Sequence, residues 1–225
     1  MDTSTDRHLP ISTASDFRRR AKSVLHAAPP DAVFDPRSGK IWERGDWDLN
    51  PEMLADFAVM EPARAAAVLV PIVARDPLTV LLTQRTSTLA SHAGQVAFPG
   101  GKVDPEDPDP VHTALREAEE EIGLDRRYVE PLGFLDNYRT GTGYLVMPVV
   151  ALVEPGFTLT LESREVDDAF EVPLSFLLDE RNHQKHARPW RGRDRHYYAM
   201  PFEDRYIWGA TAGMIRNLHE RLFAQ

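Results

Sequence analysis

FPGGKVDPEDPDPVHTALREAEEEIGL, residues Phe98 to Leu124, is the stretch around which the chain is organised. A Pro99-Gly100-Gly101 turn passes through an acidic, proline-rich loop into a run with helical periodicity. Leu115, Ala118 and Ile122 recur at i, i+3 and i+7, which predicts one apolar stripe, and Gly123 is placed to end the helix. Glu117, Glu120 and Glu121 then leave a common face, because residues three and four apart are neighbours on a helix. Like charges so close repel. The plain alternative is a solvated acidic face. Against it stand the glycine turn upstream, Arg116 beside the first glutamate, and the glycine just after the last. Hard carboxylate oxygens on one face suit Mg²⁺ or Mn²⁺, ions that commonly share their coordination with substrate phosphates.

The stretch resembles the Nudix box, G-x(5)-E-x(7)-R-E-U-x-E-E-x-G-U with U a bulky aliphatic residue. Arg116, Glu117, Ala118, Glu119, Glu120, Glu121, Ile122, Gly123 and Leu124 fit its second half, with Ala118 a small occupant of its aliphatic slot. The first half departs: counting from Gly101, Asp107 stands at the first acidic position and Arg116 arrives one residue late. Directly upstream, LLTQRTSTLASHAGQVAFPGG (Leu81 to Gly101) is similar to the motif of the coenzyme A pyrophosphatase branch, LLT-x-R-S-x(3)-R-x(3)-G-x(3)-FPGG. Thr86 replaces the usual Ser, and Ala90 stands where a second Arg is expected, so this chain must supply that charge elsewhere or bind coenzyme A more weakly.

The resemblance implies site residues. Glu117, Glu120 and Glu121 would hold the divalent ion, with Glu165 a candidate fourth carboxylate from outside the box. Glu117, Glu120 and Arg116 are the candidate catalytic set; which glutamate is the base stays open. Arg116 would steady the carboxylates through charge-assisted hydrogen bonds. Arg85, Gly100 and Gly101 are the candidate substrate contacts, the glycines because no side chain obstructs their backbone. His92 is an alternative substrate contact, and Arg139 and Tyr144 would frame the adenine side of a pocket.

The chain's 225 residues allow one well-buried core and an N-terminal elaboration: residues 1–60 as a helical or irregular extension packed on the core, and 61–225 as the Nudix hydrolase domain. The extension either contributes to a homodimer contact or covers the sheet. A formal charge of −9 without a basic tract argues against nucleic-acid partners. There is no cysteine and no apolar run long enough to span a membrane, so the expectation is a cytoplasmic protein without a membrane partner.

Along the chain, Ser15 is placed to cap a helix from Asp16 to about His26, with Phe17, Ala21, Val24 and Leu25 inward and Arg18 to Arg20 outward. Trp42 and Trp47 are expected packing anchors, and Pro51 to Phe57 a short helix. Strands are predicted over Ala66 to Val73, Leu78 to Gln84, around Gln95 to Phe98, Val129 to Asn137, Tyr144 to Leu152 and Tyr206 to Trp208. Arg164 to Pro173 reads as strand or loop before a short helix, Leu174 to Leu178. His183 to Arg195 reads as irregular and basic, either solvated or steering an anion, and Thr211 to Phe223 as a closing helix. Strands on both sides of one helix, then a terminal helix, give α/β: an α/β/α sandwich with a mixed central sheet. The Nudix resemblance implies that same fold.

The function implied is metal-dependent hydrolysis of the pyrophosphate linkage of coenzyme A or acyl-CoA, giving 3′,5′-ADP and 4′-phosphopantetheine or its acyl form. Within the same chemistry the rival is another nucleoside diphosphate derivative, such as ADP-ribose, NADH or a dinucleoside polyphosphate. From another class comes a nucleotide-sensing module without catalysis. Such modules usually lose box glutamates, and this chain keeps all three.

Overall fold

The computed structural model describes residues 11–30, 44–53, 63–87, 93–190 and 192–223. Two long strands, β2 (Arg64–Val73) and β8 (Tyr144–Val153), run parallel through the middle of a nine-stranded sheet. Their near-continuous apolar sequences follow from burial on both faces. Ala66, Val70 and Ile72 of β2 with Val146, Val150 and Leu152 of β8 enter one core, while Ala67, Leu69 and Val73 with Val149, Ala151 and Val153 enter the other. Side chains alternate along a strand, so each strand feeds two cores.

Antiparallel strands complete the sheet. β3 (Thr79–Arg85) and β5 (Gly100–Lys102) pair with β2, while β4 (Val96–Ala97) and β9 (Val166–Pro173) pair with β3. β6 (Val129–Phe134) and β7 (Tyr138–Arg139) pair with β8, and β1 (Arg44–Gly45) lies parallel to β7. Helices α1 (Ala14–Val24) and α4 (Ala210–Phe223) contribute Phe17, Ala21, Ile215 and Leu218 to one core. Helix α2 (Pro110–Ile122) contributes Ala114, Ala118 and Ile122 to the other. The short α3 (Leu174–Leu177) follows β9. This is the mixed-sheet α/β/α sandwich.

Several boundaries differ from expectation, each for a local reason. Thr13, not Ser15, caps α1: its hydroxyl accepts from the Asp16 N–H at 3.1 Å. The strand expected to Asn137 ends at Phe134, because Asp136 turns inward to charged and amide partners. Trp47 is buried as expected, whereas Trp42 lies outside the described residues. Of the helix expected over Pro51 to Phe57, Pro51–Met53 forms one 3₁₀ turn and the remainder lies outside the described residues.

The largest correction concerns the segment after His183. Far from irregular, it forms β10 (Gln184–Trp190), which pairs with β11 (Arg193–Phe202), which in turn pairs with β12 (Arg205–Trp208) in a separate antiparallel sheet. β10 has no buried residue, so no local apolar alternation announces it. Its order comes from its partner strands, where Ala199, Met200 and Ile207 are fully buried.

Asp136 joins the ends of the chain. Its carboxylate takes hydrogen bonds from Asn217 Nδ2 at 2.8 Å and from Arg221, both on α4, and pairs with His26 at 2.9 Å just after α1. Burial alone would raise this carboxyl, but those partners more than reverse the effect and hold it below the usual carboxylate range. A lowered pKa makes the stabilisation fully present above about pH 4 and lost progressively as the pH falls below it. Asp136→Ala is expected to cost about 3 kcal/mol in urea unfolding, because it removes the buried acceptor of the Asn217 amide and leaves the half-buried Arg221 guanidinium without its carboxylate. Asp136→Asn is expected to flatten the loss of stability below about pH 4. An unchanged acid limb in that variant would contradict this role.

Candidate active site

The glycine turn and α2 are pressed together by small residues. Ala114 and Ala118 face the sheet at Ala67, and none of the three is more than 1% exposed. Asp109 caps the helix start, accepting from the His112 N–H at 2.8 Å, with Pro110 at the first helical position. Gly123 ends it with φ 67°, the left-handed conformation that favours glycine. Gly100 lies so close to β2 that a Cβ there would come within 2.6 Å of Val68 Cα. At Gly101 a Cβ would overlap the Glu117 carboxylate itself.

The three glutamates do not share one environment. Glu121 is 4% exposed, Glu117 17% and Glu120 61%, so the face passes from core to solvent within one turn. The buried stripe runs through Ala114, Ala118, Glu121 and Ile122, whereas Leu115, expected in it, is half-buried. Glu121 Oε2 accepts from the Gly100 N–H at 3.0 Å, and its Oε1 lies 3.4 Å from Arg85 Nη1. Burial pushes its carboxyl up to about 7, reinforced by the charges of Glu117 and Glu165 and opposed by Gly100 and Arg85. Glu117 is also raised, first by burial and then by Glu120 and Glu165, with Arg116 opposing.

Arg116 is the counter-charge. Its Nη1 donates to Glu117 Oε1 at 3.0 Å and to Glu120 Oε2 at 3.1 Å. On the other side its Nε and Nη2 grip Asp107 at 3.1 and 2.9 Å, and Nη2 also reaches the Lys102 carbonyl at 3.1 Å. Asp107, whose carboxylate is 2% exposed, further accepts from the Asp104 N–H at 3.0 Å and the Thr113 hydroxyl at 2.9 Å, and contacts His112 Nδ1 at 2.9 Å. Arg116 above all holds its carboxyl well below the usual range. Asp107, at the first acidic position counted from Gly101, therefore anchors Arg116.

Arg85, Gly100, Gly101, Arg116, Glu117, Glu120 and Glu121 are thus brought together. Glu165 stands at the margin: its side chain is exposed, its backbone carbonyl accepts from the Thr86 N–H at 3.0 Å, and its charge reaches Glu117 and Glu121. Ala90 and His92 lie outside the described residues. Two further expectations are corrected. Arg139 is 2% exposed, sunk within the sheet, and Tyr144 lies 4.2 Å beneath the Arg64 guanidinium; neither lines the cleft that opens beside Gly100.

That cleft, about 250 Å³, is lined by residues of both sheets. Arg85, Phe98 and Gly100 come from the large sheet and its glycine turn, and Arg188, Arg195 and Trp208 from the small one. Arg188 and Arg195 fall in the basic segment expected either to be solvated or to steer an anion, but neither they nor Trp208 were singled out as cleft residues. An Arg or aromatic residue at every second position (188, 190, then 195, 197, then 206, 208) was the available signal of a strand face.

A model of the NUDIX domain matches residues 63–191. The chain belongs to the Nudix family. A protein of Photorhabdus laumondii described as "Uncharacterized Nudix hydrolase NudL" is 44% identical over 159 residues, covering 71% of this chain and 85% of its own. A Yersinia pestis protein of the same description is 42% identical over 159 residues, covering 71% and 80%. Among solved structures, the NUDIX domain of Shewanella oneidensis NrtR complexed with ADP ribose covers 77% of this chain and 98% of its own, at 22% identity and TM-score 0.46. The chain is accordingly a Nudix pyrophosphohydrolase.

Nudix hydrolases use divalent ions, and the donor set can be weighed against that need. Among the described residues no three acidic or histidine side chains are drawn into a ready ion cage. Arg116 stands between Glu117 and Glu120 as their counter-charge. The chemistry of the donors nevertheless fits a hard cation: all are carboxylate oxygens, two are desolvated, and Gly101 has no side chain to intrude on Glu117. Gly101→Ala is expected to displace the Glu117 carboxylate and lower kcat by ~100-fold with the fold intact by circular dichroism. Wild-type turnover in that variant would contradict the close approach described here.

Proposed function

We propose that the enzyme hydrolyses coenzyme A or acyl-CoA at the pyrophosphate linkage in the cytoplasm, releasing 3′,5′-ADP and 4′-phosphopantetheine or its acyl form. The observation that carries the chemistry is the graded glutamate turn packed on Gly100 and Gly101. The substrate class rests on the Leu81 to Gly101 stretch, with Ala90 its one serious departure.

In this proposal Glu117, Glu120 and Glu121 hold Mg²⁺ or Mn²⁺, with Glu165 joining from the margin. When bound, the ion supplies positive charge against the diphosphate oxygens and acidifies water. The chain's own residues do the rest. Both Glu117 oxygens lie against Gly101, and Arg116 engages Oε1; Oε2 is therefore the proposed acceptor of the attacking water's proton. Arg85, whose buried Nε has no hydrogen-bond partner among the described residues, and the open backbone of Gly100 and Gly101 meet the diphosphate. Arg85 and Gly100 border the cleft, so a nucleotide could enter it from the diphosphate end. Water adds to one phosphorus, the bridging P–O bond breaks, and the departing phosphate carries the bridging oxygen.

With Mn²⁺, kcat/KM is expected to be highest for coenzyme A when compared with ADP-ribose, NADH, diadenosine polyphosphates and dNTPs. A preference for any of the others would reject the coenzyme A assignment. Glu120→Gln is expected to weaken metal binding and lower kcat by ~100-fold or more. Turnover and metal affinity left intact by that change would remove the helix from the catalytic role and favour a sensing module.

A further inference from the structure

Three arginines line the cleft beside Gly100, and two have their charge engaged. Arg85 pairs with Glu121, and Arg195 with Asp46. Asp46 is fixed in turn by the Tyr138 hydroxyl at 3.0 Å and the Gly141 N–H. Arg188 differs: among the described residues no carboxylate pairs with it, and its guanidinium carbon lies 4.9 Å from the centre of the Trp208 ring. A cation over an aromatic face is held by the ring's electron density while its N–H donors remain available for an anion.

The placement follows from strand register. Arg188 opposes Arg195 on β11, Trp208 opposes Ala199, and residues 195 and 199 share one face of that strand. Arg188 and Trp208 therefore project from the same side of the small sheet, the side that lines the cleft. The large sheet offers Arg85 and Gly100 across the same space. At about 250 Å³ the cleft is near the lower end for small-ligand sites, roughly 300–1,000 Å³. It suits one nucleotide half and leaves a long second arm outside.

We propose that Arg188, steadied by Trp208, is a specificity determinant that reads a phosphomonoester on the ribose of the bound nucleotide. This rests on the coenzyme A assignment for its biological substrate, since coenzyme A carries a 3′-phosphate on the ribose. It deepens that assignment by naming where the extra charge is recognised. It also identifies a cation that stands in the cleft of a chain lacking an arginine at Ala90.

The test is a calorimetric comparison of 3′,5′-ADP with 5′-AMP, which differ only in that phosphate. The wild type is expected to bind 3′,5′-ADP about 10- to 100-fold more tightly, the scale of one or two charge-assisted hydrogen bonds. Arg188→Ala is expected to erase the difference while leaving AMP affinity unchanged; Arg188→Lys is expected to restore part of it. Arg188 is exposed on β10, and circular dichroism checks that the variant folds. Turnover of coenzyme A against dephospho-coenzyme A is expected to follow the same pattern in kcat/KM. Equal binding of the two nucleotides by the wild type, or a preference that survives Arg188→Ala, would overturn the inference. Should coenzyme A prove a poor substrate while the binding preference is lost in Arg188→Ala, the substrate assignment fails and the phosphate-reading role stands.

Discussion

Three carboxylates on one helical turn repel one another, and a single guanidinium set among them makes the arrangement tenable. Two unit charges 4 Å apart interact by roughly 4 kcal/mol at an effective dielectric near 20. Arg116 offsets part of that repulsion by bonding Glu117 and Glu120 at once. It can do so from a fixed place because Asp107 grips two of its nitrogens from behind. A lysine could not make that two-sided contact, since an ammonium is a point charge without the planar fork. Asp107 is itself organised by the loop before α2 and by Thr113 on its first turns, so the electrostatics of the turn extend to the start of the helix.

The sheet determines how deep each carboxylate lies. Alanines at 67, 114 and 118 bring α2 close to β2, and this closeness sinks Glu121 among apolar neighbours while leaving Glu120 in water. Burial then raises the Glu121 carboxyl, and the Gly100 N–H and Arg85 partly counter it. The two glycines allow this contact between strand and helix: Gly100 against the β2 backbone, Gly101 against Glu117. On the opposite face of the sheet, Phe17 of α1 and the apolar side of α4 fill the second core, and Asp136 ties both helices to the strand ends.

Much of this was legible in the sequence. Residues 66–73 and 144–152 read as strands because burial on both faces writes unbroken apolar runs, and α2 read as a helix because its glutamates, alanines and Gly123 keep helical spacing. The unequal exposure of Glu117, Glu120 and Glu121 was not legible, since it depends on how closely another element approaches. Nor was the anchoring by Asp107, which sits nine residues before Arg116 across a loop of irregular geometry. Of the small sheet only Tyr206 to Trp208 was legible; β10 and β11 were not, for another reason. β10 carries polar and charged residues on both faces, and its order is imposed by partners farther along the chain.

The Asp107–Arg116 contact sets the glutamates in position. The most direct measurement is a Mn²⁺ titration followed by electron paramagnetic resonance on the wild type and Asp107→Asn, with circular dichroism to establish equal folding. Loss of the anchoring charge is expected to weaken Mn²⁺ binding and to lower kcat in step. Identical Mn²⁺ isotherms and turnover in a folded Asp107→Asn protein would contradict it.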